Sequence, residues 1–162
     1  MIFVTVGTEK FPFDRLLKAL DEAAVSGRLC NDIFAQTGSS NYKPKSFAFR
    51  DFLDFNEMVE NIKRADIVIA HAGVGSTLLT LSLGKVPVIF PRQRKFREHV
   101  DDHQLEFAKK MDETGKVIVA YGPEELIEKI NNYNKLLSGL KRGPSEGKAK
   151  LVEYLIRFCE NL

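Results

Sequence analysis

Little in this 162-residue chain points to an oxidising compartment, a membrane span or a nucleic-acid partner. Its two cysteines, Cys30 and Cys159, lie far apart and match no metal or disulfide spacing, so a reduced, cytosolic setting is expected. No apolar run approaches the roughly 20 residues of a transmembrane helix. The short apolar start, Met1 to Gly7, has no basic flank or cleavage site and reads as a first strand rather than a signal peptide. Neither sign of charge dominates: 24 Lys plus Arg against 22 Asp plus Glu leave a net charge of +2, which gives no bulk reason to expect nucleic acid. Also missing are an Asp-x-Asp pair to hold a divalent ion on a nucleotide diphosphate, a Gly-x-Ser-x-Gly elbow and any reactive-cysteine context.

What is present is an ordinary globular composition, 44% hydrophobic and 28% charged, with enough length for one domain over 1–162 and a sizeable core. Apolar runs and helical periodicities alternate. Strands are expected at Ile2–Val6, Asp32–Gln36, Ser46–Arg50, Asp66–Ala70, Val86–Phe90 and Lys116–Ala120. Helices are expected at Phe13–Val25, Asn56–Arg64, Leu78–Gly84, Val100–Met111, Glu124–Tyr133 and Ser145–Glu160. Such alternation predicts an α/β, Rossmann-like, mostly parallel sheet with helices on both faces. Ligands on these sheets bind at the carboxyl ends of the strands. Here those ends are Gly7-Thr8, Thr37-Gly38, His71 to Gly75, and Pro91 onward.

The stretch His71-Ala72-Gly73-Val74-Gly75-Ser76-Thr77 carries the most information. A glycine turn between strand and helix lets backbone approach a ligand and aims free helix N–H groups at an anion, most often phosphate. The turn lacks the third glycine of a dinucleotide fingerprint, since Leu78 stands where it would be. Gly84-Lys85 is not a triphosphate loop either, because Leu79 occupies the place of its first glycine. The competing reading is a tight turn with no ligand.

Two polar stretches follow. Glu98-His99-Val100-Asp101-Asp102-His103-Gln104 places acids, imidazoles and an amide where the helix after the fifth strand should begin. These side chains suit a polyhydroxyl ligand or a helix cap, and their spacing matches no standard zinc site. The basic run Arg92-Gln93-Arg94-Lys95-Phe96-Arg97 reads as a solvated loop, or as a surface for a diphosphate, an acidic acceptor or anionic lipid. Lys141-Arg142 and Lys148 to Lys150 form a second basic cluster, read as solvated.

Together these motifs resemble the donor-binding, C-terminal half of family 28 glycosyltransferases. The carrying residues are Ile2 to Thr8, Gln36-Thr37-Gly38, Met58 eight positions before Asp66, His71 to Ser76, and Asp102-His103-Gln104. The small, single-domain members that pair with a membrane-anchored partner are the nearest likeness. These include the eukaryotic lipid-linked N-acetylglucosaminyltransferase branch and, closer still through Pro91-Arg92 and Glu98 to Gln104, the bacterial exopolysaccharide branch.

The resemblance implies half of a GT-B fold holding a UDP-sugar, with inversion at the anomeric carbon, no bound metal and no cofactor. Gly73, Gly75, Ser76 and Thr77 would bind the diphosphate, and Gln104, with Asp102 and His103, would read the sugar. Backbone near Phe55 would grip the uracil. Gly7, Thr8, Thr37, Gly38, His71 and Arg92 complete the expected donor site. Larger relatives carry a ribose-bonding Glu where this chain has Leu79. The acceptor hydroxyl needs a general base, for which Glu98, His99 and His71 are local candidates beside one supplied by a partner.

The expected function is therefore the catalytic, donor-binding subunit of a two-subunit transferase acting on a lipid-linked saccharide. It would be cytoplasmic and held at the cytoplasmic face of the membrane by its partner, with the 145–162 helix as a docking element. A non-catalytic nucleotide-sugar-binding module is the alternative; a Rossmann oxidoreductase is disfavoured by the missing glycine.

Overall fold

The computed structural model describes residues 1–140. Six strands form one parallel sheet: β1 (Ile2–Thr5), β2 (Ile33–Gln36), β3 (Ala48–Arg50), β4 (Ile67–Ala70), β5 (Pro87–Ile89) and β6 (Ile118–Val119). Their spatial order is β3-β2-β1-β4-β5-β6. The chain builds outward from β1 to β3, returns to set β4 beside β1, then builds the other way. That reversal opens a crevice between the carboxyl ends of β1 and β4, the usual ligand position on such sheets.

Both faces of the sheet are covered, which explains why the strands are apolar throughout rather than alternating. Ile2, Val4, Ile69, Val88 and Ile118 face one side, where they pack with Leu16, Leu17 and Leu20 of α1 (Asp14–Val25) and Leu126 and Ile130 of α5 (Pro123–Asn131). Tyr133, from α6 (Tyr133–Gly139), closes that layer and donates its hydroxyl to the Val86 carbonyl at 2.6 Å. On the other face Phe3 and Val68 meet Ile62 of α2 (Phe55–Arg64), while Ile89 and Val119 meet Phe107 and Met111 of α4 (His103–Glu113). Leu78 and Leu81, from α3 (Val74–Ser82), pack on the same side.

The parallel sheet and its two helical layers are those expected from the sequence, and three boundaries differ instructively. α3 begins at Val74, four residues early, because Gly73 is already its N-cap. α4 begins at His103 rather than Val100. Before it, Arg94–Phe96 form a 3-10 turn closed by Arg97 in the left-handed region (φ 59°), and the Glu98, Asp101 and Asp102 carboxylates bond loop N–H groups. The helix expected to end at Tyr133 divides at Asn132 into α5 and α6. The helix expected at Ser145–Glu160 and its docking role lie outside the described residues. Among the described residues no helix is long and apolar enough to cross a membrane.

Two aspartates of α1 hold the segment between β2 and β3. Asp14 accepts the Asn41 and Tyr42 N–H groups. Asp21, buried, accepts from the Tyr42 hydroxyl, the Ser46 hydroxyl and the Lys45 and Ser46 N–H groups. Burial alone would raise its pKa, yet these bonds outweigh it and hold the carboxyl at about 2.

Candidate functional site

A cavity of about 420 Å³ occupies the crevice at the carboxyl edge. Its walls come from four places. The end of β1 and the loop after it supply Thr5, Gly7, Thr8 and Glu9, and β2 supplies Gln36. The loop and first turns around α2 give Leu53, Phe55 and Met58. The end of β4 and the start of α3 give His71, Gly73, Gly75, Ser76 and Leu79. Of the expected donor residues, the structure thus brings together Gly7, Thr8, Phe55, His71, Gly73, Gly75 and Ser76.

The backbone at this edge is packed closely. A Cβ on Gly7 would stand 2.5 Å from the His71 Cε1, and one on Gly73 would stand 2.2 Å from its Nε2. Gly7 also has φ +78°, a conformation that suits glycine. Behind it, a Cβ on Gly38 would stand 2.6 Å from the Gly7 carbonyl oxygen. The Gln36 amide donates to that same carbonyl at 3.2 Å and accepts from the Thr5 hydroxyl at 2.5 Å. The imidazole is therefore clasped between two glycines, with a third bracing the first.

Inside this clasp His71 is uncharged at neutral pH. Burial pushes its pKa down to about 4, and the nearby Arg92 charge acts in the same direction. Its Nδ1 is buried, and none of the described groups meets it at hydrogen-bond geometry. Next to it, Thr77 is the residue whose N–H reaches the Gly73 carbonyl at 3.1 Å. The N–H groups of Val74, Gly75 and Ser76 precede that first helical bond and are directed out of the helix end.

The loop after β5 is organised differently from the expectation. Arg92 is 0 % exposed, and its guanidinium donates to the carbonyls of Val6 (2.8 Å), Phe11 (2.7 Å) and Glu98 (3.0 Å). Desolvation lowers its pKa to about 10, opposed by the Glu98 and Glu9 charges. Its guanidinium binds the loops together, and Arg92 is not among the residues lining the cavity. Glu98 is likewise buried. It receives Arg15 Nε at 2.8 Å and Nη2 at 2.9 Å, and the Gln93 N–H at 3.0 Å. Both of its carboxylate oxygens are thus engaged within the loop.

His99 is placed otherwise. Its Nδ1 lies 2.8 Å from Asp101 Oδ1, and His103 Nδ1 lies 3.2 Å from Asp101 Oδ2. Asp101 thus joins two imidazoles. Asp102 accepts the Arg94 N–H at 2.9 Å, and the Gln104 side-chain oxygen accepts the Arg92 N–H at 3.3 Å. None of Arg92, Glu98, His99, Asp102, His103 and Gln104 lines the cavity. Thr37 and Thr77 are wholly buried, Thr37 bonding Asp51 at 2.8 Å, so their side chains back the wall instead of forming it.

Sequence reasoning missed Glu9, the one carboxylate lining the cavity among the described residues, and Leu53; it names Leu79 at the ribose position and Met58 only as part of the family likeness. Glu9 follows Gly7-Thr8 directly, and its place on a carboxyl-edge loop was the available signal.

An open parallel sheet with a glycine-walled cavity at its switch point, beside a helix N-terminus, defines a Rossmann-like α/β domain. The comparison with known families is more specific. The family model of the glycosyltransferase family 28 C-terminal domain matches residues 1–151, and the chain belongs to that family. It is similar to the human UDP-N-acetylglucosamine transferase subunit ALG13, 33% identical over 123 residues. That match covers 70% of this chain and 10% of the human protein. The Yarrowia lipolytica protein of the same name is 24% identical over 123 residues, covering 74% of this chain and 61% of that protein.

Two solved structures share the fold at 16% identity: the glycotransferase of kitacinnamycin (TM-score 0.56) and the glycosyltransferase SnogD from Streptomyces nogalater (TM-score 0.51). Each match covers 94% of this chain, and 42% and 43% of the respective structures.

Proposed function

We propose that this chain binds a UDP-sugar at the carboxyl-edge cavity and is the donor-binding catalytic subunit of an inverting glycosyltransferase. Its acceptor is a lipid-linked saccharide of polysaccharide or glycan synthesis, presented by a membrane-anchored partner that holds the chain at the cytoplasmic face. Family membership supports the transferase class, and the name of the human and Yarrowia relatives, a UDP-N-acetylglucosamine transferase subunit, supports both the donor type and the subunit role.

The observation that carries the reading is the arrangement of Gly73, Gly75 and Ser76 on the cavity wall where α3 begins. A diphosphate there meets the free N–H groups of Val74 to Ser76 and the positive end of the helix. As the sugar leaves, charge grows on that diphosphate, and fixed N–H donors stabilise it without a metal ion. The clasped, neutral His71 adds a polar contact that does not change charge near neutral pH. Uracil would be gripped by the backbone near Phe55, which lines the cavity and is 69 % exposed.

For the acceptor proton, His99 is better prepared than Glu98. Asp101 Oδ1 lies 2.8 Å from its Nδ1 and orients the imidazole, whereas Glu98 is held by Arg15. Asp102, His103 and Gln104, on the adjoining loop, are the sugar-reading candidates once the partner closes over this edge.

A panel of UDP-sugars in a thermal-shift assay tests the donor reading, since a ligand at 100 times its Kd adds about 2.7 kcal/mol of stability. A rise with at least one UDP-sugar and none with nicotinamide dinucleotides is expected; no rise with any uridine nucleotide overturns it. The purified chain alone should transfer little sugar, and full activity without a partner would overturn the subunit role. Leu79 on the cavity wall favours one second reading, a module that binds nucleotide-sugar without transferring it. Transfer by the reconstituted pair that survives both Gln104→Ala and His99→Ala would support that module.

A further inference from the structure

We propose that the turn after β5, with Lys10 beside it, is a docking surface for an anionic lipid bilayer. Arg94, Lys95, Phe96 and Arg97 are consecutive and exposed, with Phe96 at 49 % and the following Val100 at 62 % exposure. Apolar side chains of this size at a loop tip, ringed by cations, combine the two terms that hold proteins at membrane interfaces: shallow apolar insertion and attraction to acidic headgroups.

The tip is built rather than loose. Arg94–Phe96 form a 3-10 turn, and the Arg15 guanidinium lies 4.7 Å from the centre of the Phe96 ring, supporting it from below. Glu98 anchors the turn inward through Arg15 and the Gln93 N–H. The Arg92 bond to the Phe11 carbonyl and the Phe11–His99 ring contact (5.8 Å) bring the Lys10 segment against the same loop.

The charges around the tip leave it positive by a small margin. Glu98 is neutralised by Arg15, whereas Glu9, Asp101 beside His99 and His103, and Asp102, which accepts the Arg94 N–H, remain formal anions. Lys10, Arg94, Lys95 and Arg97 are exposed there, and with the buried Arg92 they outnumber the Glu9, Asp101 and Asp102 carboxylates by two. Phe96 and Val100 are exposed apolar side chains on the same cationic loop, a pairing that suits the interface of an anionic bilayer. The proposal stands on the loop's own chemistry and does not depend on the donor.

The chain contains no tryptophan, so Phe96→Trp gives a single emission reporter. With vesicles of phosphatidylcholine and roughly 30% phosphatidylglycerol, a blue shift is expected. It should be absent with phosphatidylcholine alone and reversed by about 0.5 M salt. In flotation of the full chain, Arg94→Ser with Lys95→Ser and Arg97→Ser should weaken partition at least tenfold. Lys63→Ser with Arg64→Ser, removing exposed charges at the last turn of α2 on the opposite edge, should leave it unchanged. The proposal is overturned by an unshifted emission, by a triple variant that floats like the native chain, or by an equal loss in the α2 variant. Thermal midpoints within a degree or two of native confirm that the loop variants fold.

Discussion

Gly7 and His71 are in van der Waals register: the glycine leaves space for the imidazole that a methyl group would fill to within 2.5 Å of Cε1. Gly7→Ala therefore meets both a filled site and a positive φ. It should destabilise the fold by about 3 kcal/mol, within the range of buried steric mutations at special backbone positions. Gly73→Ala should also destabilise, through His71 Nε2 at 2.2 Å. Chemical denaturation of the two variants measures both losses.

Gly75 behaves oppositely. It lies in the first turn of α3, and a Cβ there meets nothing within 4 Å. Gly75→Ala should leave the free chain as stable as native or stabilise it by about 0.5–1 kcal/mol, as expected for Gly→Ala within a helix. If a diphosphate approaches this backbone closely, the same methyl group should weaken UDP-sugar binding tenfold or more. Calorimetric titration beside a melting curve separates the two effects, and unchanged affinity would remove Gly75 from the donor site.

His71 gives the protein a pH dependence of definite sign. Its folded pKa, about 4, lies below the ordinary value of 6.5. Between those values the unfolded chain binds the proton and the folded chain does not. Stability is therefore greatest above pH 6.5 and falls as pH drops toward 4, by about 3 kcal/mol in all. Urea midpoints from pH 7.5 to 4 should trace this loss, and His71→Gln should flatten it.

Glu98→Gln should act on stability first. Breaking the partly buried pair with Arg15 leaves a guanidinium without its counter-charge, a change of about 3 kcal/mol. In the reconstituted transferase at low temperature, where the variant is folded, most of the transfer rate should remain. His99→Ala should instead lower kcat with little effect on donor affinity. A loss of kcat in Glu98→Gln as large as in His99→Ala would reverse this assignment.

Asp21 controls the other side of the sheet. Its folded pKa of about 2 is below the ordinary 3.8, so its stabilisation is fully present above pH 4 and is lost as pH falls through 2. Asp21→Asn should cost about 2 kcal/mol at pH 7, and the gap to native should narrow between pH 4 and 2.

Strand positions were legible to within about two residues because sheets covered on both faces are written as short apolar runs; β1 and β4 are the clearest cases. The glycine turn was legible as well, since Gly73 and Gly75 stand between such a run and a helical pattern. The loop after β5 was not. A string such as Arg92 to His99 reads as solvated, and local sequence does not reveal that Arg92 and Glu98 turn inward. Their partners, Val6 and Arg15, are 86 and 83 residues away in the chain, and only the pairing of β1, β4 and β5 brings them near. Leu53 was hidden for a similar reason, because the fold alone brings the segment before α2 across from Leu79 of α3.

Arg92 has one more consequence. It holds carbonyls from the segment after β1 and from the segment after β5 with the same guanidinium. Neither segment can lift away without stripping a buried cation of acceptors that the other also depends on. The two form one mechanical leaf over the edge of the sheet, opening in a single cooperative step, and their amide hydrogens should exchange with solvent at a shared rate.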